Sequence, residues 1–427
     1  MKTNDAAHGT YLMVLPVPFY RTGTGTFASE SAFFRHLRIL KQTLGDEVSR
    51  LVVAGPYLDA DEYASVRSSW VEVNEADEGI YFHPLHPANA DHATFVKLLP
   101  SLLRGILHEV ESARVIHSGP SFLYRPLSIA SLIAGAALGK VTISVTDIDN
   151  RESARMNLET GVWSKKQYWT TKLLHHTSDH LQHLLVAQIC SLVLLKGKGL
   201  AEDYGGDGRN VKNFLDSAYS AEHLIRPDEL ESKLARLADP NEPLRLTYYG
   251  RLVAYKGVDH MLRALDEARR TSGSRATFDV FGDGPERDRL TALCHELGLD
   301  DVVRFHGAVP FGTEFFRTLG TLDVLLAAPL SQDTPRSALD AQASGQFVLA
   351  YDTYYYRDLA ASRAAVGVVP WRDTSALARE LVRLDRHRDE LASAIRGGVA
   401  FATDNTQERW LDRRTAWTRD VLSGSRA

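Results

Sequence analysis

Between Leu246 and Ala350, short apolar runs alternate with segments of helical period, and glycines stand where several of the runs end. The runs read LTYYG, FDVFGDG, VRFHG, DVLLAA and FVLA. This pattern confines the chain to few folds. Strands apolar along their whole length need cover on both faces, and intervening helices force them parallel. The expected product is an α/β fold with a doubly wound sheet, whose ligand binds beyond the carboxyl ends of the strands.

The first half repeats the pattern with less regularity. Tyr11–Phe19, Leu51–Ala54, Ile80–Phe82, Arg114–His117, Val141–Val145 and Leu192–Leu195 read as strands. A helix is expected from about Ser29, with Phe33, Leu37, Leu40 and Leu44 on one face. Others are expected over Thr94–Val110, interrupted by Pro100, over Leu123–Leu138 and over Trp163–Cys190. The sequence therefore predicts two Rossmann-like domains, 1–225 and 244–406, with a central cleft. The charged, proline-flanked stretch 226–243 reads as a linker, and 407–427 as a C-terminal helix.

Several classes of function recede on composition. A net charge of −5 gives no general support for nucleic-acid binding. Cys190 and Cys294 are too few for a disulfide framework, which suits a reducing compartment. The first ten residues lack an apolar signal core, and Pro126–Ala137 is too short to span a bilayer. The expectation is a cytoplasmic protein, at most at the inner face of a membrane. Arg21, Arg35, Arg38 and Lys41 surround the first helix. They read either as a solvated face or as a peripheral contact with anionic lipid or a phosphate-bearing acceptor. His176, His180 and His183 share a helix face, but no His-Glu-x-x-His accompanies them. A polar face is the plainer reading, and no metal site is assigned.

The residues suited to chemistry cluster in the second half. Arg251 and Lys256 lie in a strand-to-helix loop closed by Gly257. A planar guanidinium fork and a point charge together suit a diphosphate, although cations in loops are common. Thr334-Pro335-Arg336 reads as a helix start, capped by Thr334 or Asp333, with free N–H groups for an anion and Arg336 to offset the donor that Pro335 lacks. Asp340, farther along, can accept hydrogen bonds from a ribose diol. Gly282 and Gly284 permit a tight turn. In the first half, Gly23 and Gly25 allow backbone to approach a ligand or simply make a flexible loop.

Gly250, Arg251, Lys256 and Gly257, then Gly282 to Glu286, then Arg304, Phe305, Gly307 and Val309 occur in an order and spacing that resemble the retaining GT-B glycosyltransferases of family 4 (glycosyl transferases group 1). The resemblance covers about 100 residues and implies a two-domain GT-B fold with a C-terminal helix returning to the first domain. It implies that Arg251 and Lys256 hold the diphosphate of a nucleotide sugar and that Gly307 to Val309 lie near its base. Gly250 and Gly282 belong to the same donor site. The first half resembles the acceptor domain more loosely, through the Gly23 and Gly25 loop, which is grouped with the donor-binding positions. Two glutamates with seven residues between them mark the family, and here the positions hold Gln332 and Asp340. Asp333 offers a neighbouring carboxylate. His117 ends a Val-x-His run, but the family's functional histidine two residues on is replaced by Gly119.

The resemblance implies retaining transfer of a sugar from a nucleotide-diphosphate donor to a hydroxyl of a glycan, lipid-linked or small-molecule acceptor, without metal or other cofactor. Alternatives are a nucleotide-sugar epimerase on the same scaffold and a non-catalytic nucleotide-sugar-binding protein.

Overall fold

The structure, a computed structural model, describes residues 9–67, 70–205, 210–362 and 364–424. It divides into two units. The first comprises 1–147, 169–214 and 411–427, and the second 148–168 and 215–410.

The first unit is built on a seven-stranded parallel sheet. In spatial order its strands are Val211–Phe214, Leu192–Lys196, Val141–Thr146, Ala113–Ser118, Gly9–Val14, Val48–Tyr57 and Ile80–Pro87. Every neighbouring pair is parallel. Beside it lies a small antiparallel sheet of Tyr20–Gly23, Thr26–Glu30 and Trp70–Asn74. The second unit has a six-stranded parallel sheet ordered Val303–Gly307, Thr277–Phe281, Arg245–Tyr249, Val324–Ala327, Phe347–Tyr351 and Val366–Val369.

Numbered along the chain within each unit, the large sheets run third, second, first, fourth, fifth, sixth, and the first unit adds a seventh strand. This is the doubly wound order. The winding reverses between the first and fourth strands, which opens a crevice at their carboxyl ends. Period-two alternation covers both faces of the second sheet. Leu326 and Leu349 enter one core, while Leu325, Ala327, Val348 and Ala350 enter the other. The helix Val258–Ser272 starts after Gly257 and buries Met261, Leu262, Leu265 and Ala268, as its periodicity predicts.

Several expectations need correction. The stretch read as a linker is mostly a helix, Pro227–Leu237, and Leu234 and Leu237 enter the core of the second unit. Its high charge masked an amphipathic period. Residues 148–168, placed by sequence in the first domain, belong to the second unit. There Glu152 accepts the Tyr354 N–H at 3.0 Å, and Glu159 O accepts from Arg372 at 2.7 Å. The C-terminal helix spans Gln407–Leu422, and from Leu411 onward it groups with the first unit. Within that unit Arg419 donates to Thr43 O at 3.0 Å.

The glycine segment near the N-terminus is a β-hairpin, not a flexible loop. Gly25 takes φ 70° in its two-residue turn, a conformation that favours glycine. The long helix expected over 163–190 forms as Lys165–Thr170, a π-helical turn Thr171–His175 and His176–Ile189. Its histidines are engaged locally. His183 meets Thr146 Oγ1 at 3.0 Å, and His180 meets the Tyr204 hydroxyl at 2.9 Å. Among the described residues, no helix is long and apolar enough to cross a membrane.

Candidate active site

Several of the sequence-predicted site residues of the second unit lie on the loops that follow its first and fourth strands. Arg245–Tyr249 delivers Gly250 and Arg251, and Val324–Ala327 delivers the segment holding Gln332 and Asp333. These two strands flank the reversal of winding. Lys256 forms an ion pair with Asp333, joining the two loops across the crevice. A second tie runs from Leu330 N–H to Tyr255 O at 2.7 Å.

The glycines serve this convergence by packing loop against loop. A Cβ on Gly282 would sit 1.9 Å from Gly250 O, and one on Gly257 would sit 2.0 Å from Ala328 O. Both also have positive φ, 134° and 65°. A side chain at either position would separate adjacent strand-end loops. Gly282 N–H donates to Gly307 O at 2.7 Å, tying the second loop to the third strand.

Arg251 is exposed, and among the described residues its guanidinium pairs with no carboxylate. It lines a cleft of about 370 Å³ together with Gly250, Gly282, Val309 and the rings of Phe281, Phe311 and Phe315. Phe281 stacks on His306 with centroids 4.4 Å apart. One cation beside an aromatic-walled cleft suits a phosphate attached to a flat heterocycle. Sequence reasoning missed these three phenylalanines. Their signal was aromatic residues at or after the ends of the second and third strands.

Gln332 is distinctive. Both carboxamide atoms are buried and make no hydrogen bond within the protein. Buried amides are ordinarily satisfied, and a polyol presents both the donor and the acceptor that this one lacks.

Asp340 is placed differently from expectation. It lies on the helix Ser337–Ala343, only 4% exposed, and lines neither the cleft nor the small recess beside Lys256. Burial raises its pKa to about 8, opposed by nearby Arg336 and reinforced by Asp216. Its Oδ1 has no partner. The carboxyl is therefore largely protonated at neutral pH, able to donate as well as accept. The helix begins at Ser337, later than Thr334-Pro335-Arg336 suggested, and no side chain caps it. Arg336 instead pairs with Asp216 at 2.7 Å, and Pro335 O accepts from Tyr355 at 2.9 Å. Thr334 lies in the segment leading to the helix.

The remaining expected positions lie in the first unit. His117 is buried on a central strand, with its Nδ1 2.8 Å from the Tyr11 hydroxyl. Burial, with help from Arg414 and His36, holds its pKa well below the usual histidine value. It is a neutral, satisfied strand-end residue. At Gly119 a Cβ would lie 2.5 Å from Val145 O, so this backbone leaves no room for a histidine. Gly23 and Gly25 belong to the hairpin. Arg38 is bound to Glu78, and Lys41 donates to Glu78 O at 2.6 Å, so two cations of the first helix hold it to its neighbour.

A larger cavity in the second unit, about 420 Å³, lies near the amino ends of its strands, beside Arg245. Lys233 there donates to Ser344 O at 3.2 Å, and Arg236 pairs with buried Asp323. Its size does not make it the site, because the cations there already serve the fold.

Comparison with known proteins bears on family and fold. Residues 231–396 match the model of the family described as glycosyl transferases group 1. The matched residues all lie in the second unit. The 2-deoxystreptamine glucosyltransferase of Streptomyces kanamyceticus is 30% identical over 188 residues, covering 41% of this chain and 48% of that protein. The 2-deoxystreptamine N-acetyl-D-glucosaminyltransferase of Streptomyces fradiae is 27% identical over 250 residues, 55% of this chain and 59% of that one. The chain thus spans about half the length of these relatives. Anabaena Alr3699/HepE, solved in complex with UDP, superposes with a TM-score of 0.62 at 14% identity, covering 96% of this chain and all of that one. The matched stretch includes Gly250 to Gly257, and the two doubly wound units have the GT-B architecture.

Proposed function

We propose that this protein is a glycosyltransferase that moves a sugar from a nucleoside-diphosphate donor to an acceptor hydroxyl, with retention at the anomeric carbon. The observation that carries the reading is the pair of adjoining strand-end loops in the second unit, which bear Arg251, the Lys256–Asp333 pair and the buried, unpartnered Gln332 carboxamide. Its support from relatives is the family match, together with the UDP and UDP-glucose complexes solved for Alr3699/HepE.

The chain's own residues supply positioning and charge. Arg251 grips phosphate oxygens with a planar fork, and Lys256 shares its charge between Asp333 and the diphosphate. Charge building on the leaving diphosphate is then stabilised in place, with no metal required. Gln332 holds hydroxyls of the transferred sugar. Asp340, protonated, offers both a donor and an acceptor to the ribose once the segment 332–336 admits it. On the retaining route the leaving phosphate takes the acceptor proton. The donor and its geometry are tested together by incubating the protein with nucleotide sugars and an alcohol acceptor and following the anomeric proton by NMR. Product with the donor's configuration supports the proposal. Inverted product, or donor epimerisation without acceptor, contradicts it.

A further inference from the structure

The first unit has its own crevice at the carboxyl ends of its first four strands. A cavity of about 250 Å³ opens there. Its walls are Leu15, Pro16, Pro18, Pro56, Phe95 and Pro120, and eleven of its fifteen lining residues are apolar. None of the fifteen is a carboxylate.

The polar groups are largely engaged. Ser121 Oγ accepts from Ile129 N–H at 2.8 Å, and the Ser121 backbone exchanges two hydrogen bonds with Gln182. His86 Nδ1 lies 2.8 Å from Pro87 O, a carbonyl that can only accept, so Nδ1 carries the proton. Burial, and secondarily Arg125, lowers the His86 pKa, so its ring is neutral. The single charge lining the cavity is Arg125. One Nη donates to Ala90 O at 2.6 Å and the guanidinium lies over the Phe95 ring, but it pairs with no carboxylate among the described residues. At the rim Phe122 is 74% exposed, followed by exposed Leu123 and Tyr124.

We propose that this cavity receives the apolar aglycone of the acceptor, with an anionic group of that acceptor on the Arg125 guanidinium. The inference rests on the glycosyl-transfer reading and fixes its acceptor class. Rigid proline walls with few free polar groups fit an alkyl or aromatic body and leave a sugar's hydroxyls unsatisfied. The exposed rim extends the apolar surface past the cavity, so the aglycone continues beyond it. An unpaired guanidinium suits a phosphate or carboxylate. The same charge opposes a polycationic aminocyclitol such as 2-deoxystreptamine, the compound named for the two Streptomyces relatives.

The test is calorimetric titration of the whole protein, without donor, using hexyl phosphate, hexyl glucoside, inorganic phosphate and 2-deoxystreptamine. Hexyl phosphate should bind more tightly than the other three. Arg125→Gln should weaken it about tenfold, the usual scale for a charge-assisted contact, and change hexyl glucoside less than twofold. Phe122→Ser, at an exposed position that leaves folding intact, should weaken both hexyl ligands. Stronger binding of 2-deoxystreptamine or of inorganic phosphate overturns the proposal, as does hexyl phosphate affinity unchanged in both variants. A parallel titration with nucleoside diphosphates separates the two readings. Diphosphate binding without hexyl phosphate binding sinks the acceptor proposal alone, and the reverse sinks the donor assignment alone.

Discussion

The two units share a strand order and differ in what they place at its reversal. In the second unit the strand-end loops carry Arg251, the Lys256–Asp333 pair and a buried, unpartnered carboxamide. In the first, the equivalent position is walled by prolines and leucines around one arginine. Topology fixes where a ligand goes, and the strand-end loops decide which ligand. Gly119 shows how local that decision is. The carbonyl of Val145 occupies the space that a side chain there would need, while His117 turns into the strand core.

Lys256→Met tests the charged crevice most severely. On the proposed reading it removes a cation from the leaving group and strands Asp333, and kcat/KM should fall about a hundredfold or more. The double variant Lys256→Met, Asp333→Asn should recover part of that loss, because the carboxylate is no longer left unpaired. A steady-state comparison of the single and double variants checks this, and no recovery would mean that the ion pair does not hold the loops. Gln332→Ala should lower kcat/KM about tenfold, the scale of hydrogen bonds lost to a polyol. Competition assays with free nucleoside diphosphate should show little change in that variant, since the proposal assigns Gln332 to the sugar.

A separate effect concerns stability. The folded pKa of Asp340, about 8, exceeds its ordinary value of 3.8. The folded state therefore holds a proton that the unfolded state releases between these values, and stability declines as pH rises through this window. Asp340→Asn removes the dependence. Its melting temperature relative to the parent should rise from pH 5 to pH 8 and level off above, as read by thermal unfolding in matched buffers. A constant difference would show that the carboxyl titrates normally.

Much of this was legible in the sequence because it is local. Buried parallel strands announce themselves as apolar runs, and the spacing of Arg251, Lys256 and Gly257 survives as a motif. What escaped depends on distant partners. Arg336 reads as a donor for an anion until it meets Asp216, 120 residues away in the chain. Gly257 reads as the close of a loop and Gly282 as part of a tight turn, while each is also required by the carbonyl of an adjacent loop packed against it. Gln332 reads as a lost charge, and only its surroundings reveal an amide without a partner. The charged face of Pro227–Leu237 hid the two leucines that anchor it.

The central claim is that Arg251 grips the donor's diphosphate in the second unit. Calorimetric titration of nucleoside diphosphates and the matching nucleosides into the parent protein and Arg251→Ala tests it directly. At least one diphosphate should bind the parent, and the variant should lose about tenfold or more in its affinity, while the weaker nucleoside binding stays the same. Equal diphosphate affinity in the two proteins would contradict the account.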